Sequence, residues 1–159
     1  MAIDDNPSAE TPLENPFSGA GCFFCGQQNP AGTRLRFSRV EGERRQLVAR
    51  WTPDQRYRSL GRVLHGGIQS GLFDEIMGWT AHHFSQGPGV TAEIHVKYLG
   101  PLYIGDPLEL RCWVTESHRR KVHLAATITD HHGRVCAEAH GVYVMMNPER
   151  FHQLVGTNR

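Results

Sequence analysis

The sequence predicts an α+β fold in which one long helix lies among six strands. Apolar residues recur at helical spacing between residues 66 and 84, and the pattern changes to a period of two after residue 90. The predicted order is two strands, one helix and four strands. One helix cannot cover both faces of a six-stranded sheet. The sheet must therefore wrap around the helix, or a second subunit must cover the remaining face.

The length of 159 residues suits one domain with its own core. Residues 1–20 contain acidic residues and three prolines but no basic start or apolar middle of a secretory signal, which predicts a disordered tail. We expect the domain to span residues 21–150 and residues 151–159 to form a C-terminal extension. No apolar run reaches the ~20 residues needed to span a bilayer. The sequence therefore predicts a cytoplasmic protein without a membrane partner.

The charge balance excludes one class of partner. Lys and Arg together number 17 against 16 Asp and Glu, a formal net charge of +1. A nucleic-acid binder would usually carry a strong basic excess. We therefore expect no nucleic-acid partner.

The segment before the helix is expected to form a turn and two strands. The turn is "CFFCGQQNPAG", which is rich in Gly, Asn and Pro. The strands are "TRLRFSRV" at residues 33–40 and "RQLVARW" at residues 45–51, and the polar "EGERR" between them suits a hairpin loop.

Two cysteines in this turn, Cys22 and Cys25, have the spacing of half a zinc site or of a redox pair. A closed zinc site needs two more ligands. Cys112 and Cys136 fall within predicted strands, and the sequence has no second Cys-x-x-Cys pair. The four cysteines are also too widely spread for a disulfide framework. The sequence therefore favours a metal-free turn and predicts no metal site.

The helix is expected to begin at Gly66 or Gly67 and to end near Phe84, where "SQGPG" stops it. At about 100° per residue, its apolar side chains cover one broad arc. Asp74 lies in the middle of the opposite strip, among small residues, whereas Glu75 lies at the edge of the apolar arc. The sequence thus distinguishes two adjacent carboxylates by their faces.

Glycines at positions 67, 71 and 78 share the strip with Asp74. Glycine inside a helix costs roughly 1 kcal/mol relative to alanine, which indicates that a helix, a sheet or a ligand approaches this face closely. At the helix start, the amides of "HGG" lack intrahelical partners and can donate to an oxyanion. By helical rise alone, they lie about 10 Å from Asp74. An extended substrate, a loop or a second subunit must bridge that distance.

Four strands are predicted after the helix. The first, "VTAEIHVKYLG", alternates between an apolar face (Ala92, Ile94, Val96, Tyr98) and a polar face (Thr91, Glu93, His95, Lys97). The others are "DPLELRCWVTES", "KVHLAATITD" and "VCAEAHGVYVMM". Their connections, "HRR" and "HHG", are short and polar, so we expect antiparallel hairpins.

These motifs together resemble one enzyme family. The "HGG" before the helix, an acid nine positions after His65 and the strand "VTAEIHVKYLGPLYIGDPLEL" resemble the hotdog-fold thioesterase superfamily of the PaaI-like and 4-hydroxybenzoyl-CoA types. The segment "CFFCGQQNPAGTRLRF" resembles the start of one hotdog subgroup. The resemblance spans about residues 22–146. It implies a hotdog fold, in which an antiparallel sheet wraps around one long helix, and a homodimer or a dimer of dimers.

The resemblance also implies the reaction and the main site. The expected reaction is hydrolysis of an acyl- or aryl-CoA thioester, with no cofactor beyond the CoA of the substrate. The expected site lies between the helix start of one subunit and the acid on the partner's helix. Gly66 N–H would polarise the thioester carbonyl, and Asp74 would act as nucleophile or as the base that activates water. Glu75 is the alternative acid.

The resemblance also implies supporting roles for further residues of this sequence. Thr91 matches a hydroxyl residue that helps position the water in some members, and Ser59 stands where some members have an Asn near the thioester. His65 is expected to orient the loop or the thioester, and Gly67 lies beside it in "HGG" as a substrate-binding candidate.

A basic hairpin turn offers a further binding candidate. Arg119, Arg120 and Lys121 form either a solvated turn or a site for CoA phosphates, which the planar fork of Arg suits well. Two other functions stay open for the chain as a whole. It could be a non-hydrolytic hotdog protein that binds acyl-CoA, or a hotdog dehydratase or hydratase.

Overall fold

The structure is a computed structural model that describes residues 9–16, 21–42 and 44–156. Its elements are β1 (Glu10–Pro12), β2 (Ser38–Val40), β3 (Gln46–Trp51), a short 3-10 helix (Gln55–Tyr57), α1 (Gly66–Ser85), β4 (Gly89–Tyr98), β5 (Leu108–His118), β6 (Lys121–Thr129), β7 (Val135–Met145) and α2 (Pro148–Val155). The strands form one antiparallel sheet in the order β1-β2-β3-β5-β6-β7-β4. The predicted α+β class is confirmed.

Helix α1 lies against the concave side of this sheet and packs on β3, β4, β5, β6 and β7. Its buried residues are Gln69, Leu72, Phe73, Ile76, Met77, Trp79, Thr80 and Ala81. The predicted limits of the helix are confirmed to within one residue. The chain turns after Ser85 because Gln86 adopts a left-handed conformation with φ of 53°. The sheet therefore wraps the helix, which is one of the two arrangements that the single-helix pattern predicted.

The first predicted strand is shorter than expected. Residues 33–40 were expected to be extended throughout, but only Ser38–Val40 pair with the neighbouring strand. The preceding residues are held by the cysteine-containing turn instead, because Leu35 N–H donates to Phe24 O at 2.8 Å and Thr33 N–H donates to Phe23 O at 2.9 Å. This segment connects the turn to the sheet.

Part of the predicted N-terminal tail is structured. Within residues 9–16, strand β1 extends the sheet by pairing with β2. The Arg50 guanidinium donates one hydrogen bond to each carboxylate oxygen of Glu10, at 2.8 and 2.7 Å. These hydrogen bonds lower the pKa of Glu10. The predicted disorder is therefore wrong for residues 9–16. The rest of the predicted tail lies outside the described residues.

The C-terminal boundary also differs from the expectation. Residue 150, the predicted end of the domain, lies inside α2. Asn147 caps this helix by accepting a hydrogen bond from Arg150 N–H at 2.8 Å. None of the helices in the described ranges is both long and apolar enough to cross a membrane.

Strand β4 lies at one edge of the sheet and is irregular near its start. Thr91 pairs with Tyr143 and Glu93 pairs with Val142, so Ala92 is an extra residue that forms a β-bulge. Ile94 packs against the core as predicted, and Tyr98 contacts α1 from the same face although its side chain is largely exposed. Ala92, expected on this face, is exposed at the bulge. The sequence alternation is therefore interrupted by the bulge.

Candidate active site

Asp74 projects from α1 towards β4 and β7. Thr91 Oγ1 donates a hydrogen bond to Asp74 Oδ1 at 2.6 Å. The Tyr143 hydroxyl lies 2.7 Å from the same oxygen and 2.7 Å from the backbone carbonyl oxygen of Asp74, so its single proton is shared between these two acceptors. The other oxygen, Oδ2, accepts no hydrogen bond from the part of the chain that the structure describes. The carboxylate is thus held by one oxygen, and the second is available to a ligand or to water.

The bulge at Ala92 explains how Thr91 reaches Asp74. In a regular strand Thr91 and Ile94 would point to opposite faces, because side chains alternate. The extra residue shifts this alternation, so that Thr91 and Ile94 both face α1. The sequence pattern alone placed Thr91 on the polar face. Its predicted role, helping to position the water, came from the family resemblance.

Tyr143 is a site residue that the sequence analysis missed. It is only 3% exposed, and its pKa is raised by burial and by the negative charge of Asp74. The phenol therefore stays protonated and can donate to the carboxylate. Its one sequence signal is a tyrosine among small and aliphatic residues on β7. That pattern does not predict the contact between Tyr143 and Asp74, because Asp74 is 69 residues away in the chain.

The glycines of the strip make room for side chains of the same protein. A Cβ at Gly71 would lie 2.1 Å from the ring of Phe24, and a Cβ at Gly78 would lie 3.5 Å from the ring of Tyr143. The predicted close approach is confirmed. The approaching groups are the aromatic side chains of the cysteine-containing turn and of β7.

The two glycines at the start of α1, Gly66 and Gly67, differ in the hydrogen bonding of their backbone amides. His65 caps the helix, because its Nδ1 accepts a hydrogen bond from Gly67 N–H at 2.9 Å. Gly66 N–H has no acceptor in the described ranges, while its carbonyl accepts from the Tyr98 hydroxyl at 3.0 Å. The free donor at the helix start is therefore Gly66. The Gly67 amide is engaged by His65, and the roles of Gly66 as donor and of His65 as an orienting residue stay predictions.

Within one chain, the two halves of the predicted site lie in different cavities. A cavity of about 330 Å³ includes Asp74, Glu75, Thr91 and Tyr143 in its lining. Another cavity, of about 300 Å³, is lined by Arg56, Tyr57, Arg58, His65, Gly67 and Ile68. A site that uses both the helix start and Asp74 therefore needs an extended ligand or a second subunit. The two-chain site stays a prediction.

Glu75 lines the same cavity as Asp74 but has different contacts. Trp79 Nε1 donates to Glu75 Oε1 at 3.1 Å, and Cys22 Sγ lies 3.9 and 3.8 Å from the two carboxylate oxygens. The pKa of Cys25 is raised, mainly by burial and then by its hydrogen bond to Glu75. Glu75 thus lies within contact of the two thiols, while Asp74 contacts two hydroxyls.

The remaining predicted residues lie outside this group of contacts. Ser59 is exposed in the loop that leads to α1, where its N–H donates to Val63 O at 2.7 Å. Arg119, Arg120 and Lys121 are exposed at the β5–β6 turn and form no ion pair with the described part of the chain. The turn lies at the Tyr143 end of β7, because Met145 N–H donates to Arg120 O at 2.7 Å.

Several solved structures have the same fold. A thioesterase superfamily protein is 22% identical, with a TM-score of 0.71, and the match covers 79% of this chain and 60% of that longer chain. The PaaI protein of E. coli, from the phenylacetic acid degradation operon, is 17% identical, with a TM-score of 0.64 and coverage of 72% and 81%. An acyl-CoA hydrolase of Staphylococcus aureus, solved with butyryl-CoA and CoA, is 19% identical, with a TM-score of 0.63 and coverage of 67% and 66%.

Sequence comparison gives a family match for the part of the chain that includes α1 and β4. No curated protein is significantly similar in sequence. The sequence model of the Thioesterase superfamily matches residues 61–137, which include the helix start, Asp74 and Thr91. Residues 61–137 thus match the Thioesterase superfamily and the chain has the hotdog fold, which confirms the resemblance recognised in the sequence.

Proposed function

We propose that this protein is an acyl-CoA thioesterase that hydrolyses an acyl- or aryl-CoA thioester to the free acid and CoA. One observation carries the proposal: two hydroxyl groups hold Asp74 Oδ1, and Asp74 lines a cavity. A carboxylate held in this way can attack a carbonyl carbon or take a proton from water. The family match and the CoA-bound acyl-CoA hydrolase of the same fold support this chemistry.

The proposed mechanism uses two elements of the fold. Gly66 N–H, at the positive end of the α1 dipole, donates to the thioester oxygen and stabilises the negative charge that develops there. Asp74 drives attack on the carbonyl carbon, either directly or by removing a proton from the attacking water. The C–S bond then breaks, and CoA leaves as a thiolate that takes up a proton. In the direct route the acyl group remains on Asp74 as a mixed anhydride, and water then hydrolyses this anhydride to release the acid and restore the carboxylate. No step needs a cofactor beyond the CoA of the substrate.

We propose that Asp74 acts with Gly66 of a second subunit in a homodimer. Strand β4 is a ten-residue edge strand, and its outer side pairs with no other strand of the described chain. Such an edge is a template for pairing with a second strand. A second copy joined there would continue the sheet and bring another helix start to this side of the molecule. A dimer of dimers remains compatible with this arrangement.

Supporting roles follow from the same arrangement. Arg119, Arg120 and Lys121 are proposed to bind CoA phosphates, because they are exposed cations at the Tyr143 end of the sheet. Ser59 and Gly67 are proposed to line the substrate path near the helix start. The expected cytoplasmic location, and the absence of nucleic-acid and membrane partners, continue to rest on the sequence.

A thiol-release assay over a panel of acyl-CoAs tests the proposed function. The panel should contain straight-chain, branched and aryl thioesters, and the expected result is hydrolysis of at least one class. Tight binding without thiol release would contradict the proposal and favour a non-hydrolytic acyl-CoA-binding protein. Hydration of an enoyl-CoA without thiol release would favour a hydratase.

Removal of the hydroxyl groups that hold Asp74, singly and together, is expected to lower kcat. Tyr143→Phe and Thr91→Val each remove one donor and keep the shape of the side chain. A hydrogen bond to a charged group contributes about 1.5–3 kcal/mol, so each variant should lower kcat roughly tenfold or more. The double variant should fall by less than the product of the two effects, because both donors act on one oxygen. Unchanged kcat in both single variants, measured by thiol release, would contradict a positioning role.

A further inference from the structure

The turn that contains Cys22 and Cys25 brings both thiols to one place. Gly26 N–H donates to Cys22 O at 3.0 Å, which curls the chain through a single turn. The ring of Phe24 fits against Gly71 and anchors this turn on α1. Both cysteines therefore line the cavity that also contains Asp74 and Glu75.

Glu75 supplies a third ligand atom to the two thiols. The sulfur atoms of Cys22 and Cys25 and one carboxylate oxygen of Glu75 all lie within 4.8 Å of one another. Zn–S bonds of about 2.3 Å and Zn–O bonds of about 2.1 Å in a tetrahedron give an S···O separation of about 3.6 Å. The observed separations between Cys22 Sγ and the Glu75 oxygens are 3.9 and 3.8 Å. Cys22 and Glu75 are thus close to the spacing that a tetrahedral ion requires, and the separations from Cys25 Sγ lie within 4.8 Å.

Neighbouring groups orient these ligands. Trp79 Nε1 donates to Glu75 Oε1 at 3.1 Å, which holds the carboxylate and leaves Oε2 towards Cys22. Asn15 Nδ2 donates to Cys25 Sγ at 3.5 Å. Hydrogen bonds to metal ligands of this kind fix their direction and raise metal affinity.

The charge of the cavity favours a cation. Its lining includes two carboxylates and two thiols, and none of its described lining residues is Lys or Arg. Two sulfurs and one oxygen form a borderline-soft donor set, which suits Zn²⁺ better than Mg²⁺ or Ca²⁺.

We propose that Cys22, Cys25 and Glu75 bind one zinc-class divalent ion, with water in the fourth position on the cavity side. The ion would fasten the N-terminal turn to α1 directly beside Asp74. The sequence favoured a metal-free turn because it offered only two ligands at recognisable spacing. The third ligand lies 53 residues away in the chain and becomes identifiable only in the folded structure.

Metal content of the purified full-length protein tests the proposal. The protein is incubated with Zn²⁺, dialysed against metal-free buffer and analysed for zinc per chain. We expect one ion per chain in the wild type, background content in Cys22→Ser/Cys25→Ser and at least a tenfold weaker affinity in Glu75→Gln. Cys136→Ser is the matched control and should retain the ion, because Cys136 lies outside this cluster. Replacement with Co²⁺ should give a thiolate-to-cobalt absorption band that the double variant lacks.

Three results would overturn the proposal. They are a small fraction of one zinc ion per wild-type chain, equal zinc content in the wild type and the double variant, or a Cys22–Cys25 disulfide without metal in protein purified without reductant. If the double variant does not fold, the wild-type cobalt spectrum and the Glu75→Gln affinity decide the question. These measurements need no substrate, so their outcome is independent of the thioesterase test.

Discussion

Asp74→Asn is expected to lower kcat for acyl-CoA hydrolysis by about 10²–10⁴-fold, the usual contribution of a positioned acid or base. The amide oxygen of asparagine can still accept hydrogen bonds from Thr91 and Tyr143, so the local geometry should be retained. The amide can neither attack a carbonyl carbon as an anion nor take a proton from water. Thiol release measures the loss, and the melting temperature shows whether the fold is intact.

The control for this variant is Glu116→Gln. Glu116 is an exposed carboxylate on β5 that forms no ion pair within the described ranges, so the same chemical change should leave kcat unaltered. Near-wild-type turnover of Asp74→Asn would remove Asp74 from the mechanism. In that case Glu75, which lines the same cavity, would become the acid to test.

Gly66→Pro is expected to lower kcat by about 10²–10³-fold, the loss seen when one oxyanion donor is removed. Proline suits the first position of a helix, where the backbone N–H has no intrahelical partner. The preceding residue, His65, has φ of −61° and ψ of 130°, which is the extended conformation that proline favours before it. The substitution therefore removes the proposed donor while the helix can still form, and the melting temperature should change little.

Gly66→Ala separates the loss of the donor from the addition of a side chain. Its Cβ would lie 3.5 Å from the ring of Tyr98, an ordinary contact, and its N–H is retained. The alanine variant should therefore lose far less activity than the proline variant. Equal losses in the two variants would show that crowding at Tyr98, and not the missing N–H, lowers the activity.

A mixture of the two inactive variants tests whether two chains share one site. Mixed dimers of Asp74→Asn and Gly66→Pro would have one doubly defective site and one intact site, provided that the site joins Gly66 of one subunit to Asp74 of the other. After subunit exchange, activity should recover to about a quarter of the wild-type value for a symmetric dimer. No recovery in a mixture shown to contain mixed dimers would place the site within one chain.

The sequence predicted the elements of the fold well where the signal is local. The 3.6-residue period located α1, and the period-two pattern located β4 to β7, because these patterns depend only on neighbouring residues. Strand β1 was missed because its three exposed residues show no alternation. Its stability comes from pairing with β2 and from the contact between Arg50 and Glu10, which are far apart in the chain.

The candidate site was predictable only in part for the same reason. The helical wheel separated Asp74 from Glu75, and the structure confirms that the two carboxylates face different partners. The contact with Tyr143, the fit of Phe24 against Gly71 and the bulge at Ala92 all join distant segments. No local pattern encodes such contacts. The glycines on one face of α1 predicted that another group packs closely there, but they could not show that Phe24 and Tyr143 are those groups.

The bulge at Ala92 also limits how a second strand can lie along β4. A bulge interrupts the regular spacing of backbone donors and acceptors, so the uninterrupted outer edge of β4 begins at Glu93 and ends at Tyr98. This window is about 20 Å long, which is the length of an average strand. A partner strand bound there could not slide past Ala92 towards Gly89, which lines the Asp74 cavity. In the proposed dimer, the irregularity that turns Thr91 towards Asp74 would thus also limit the register of the second strand.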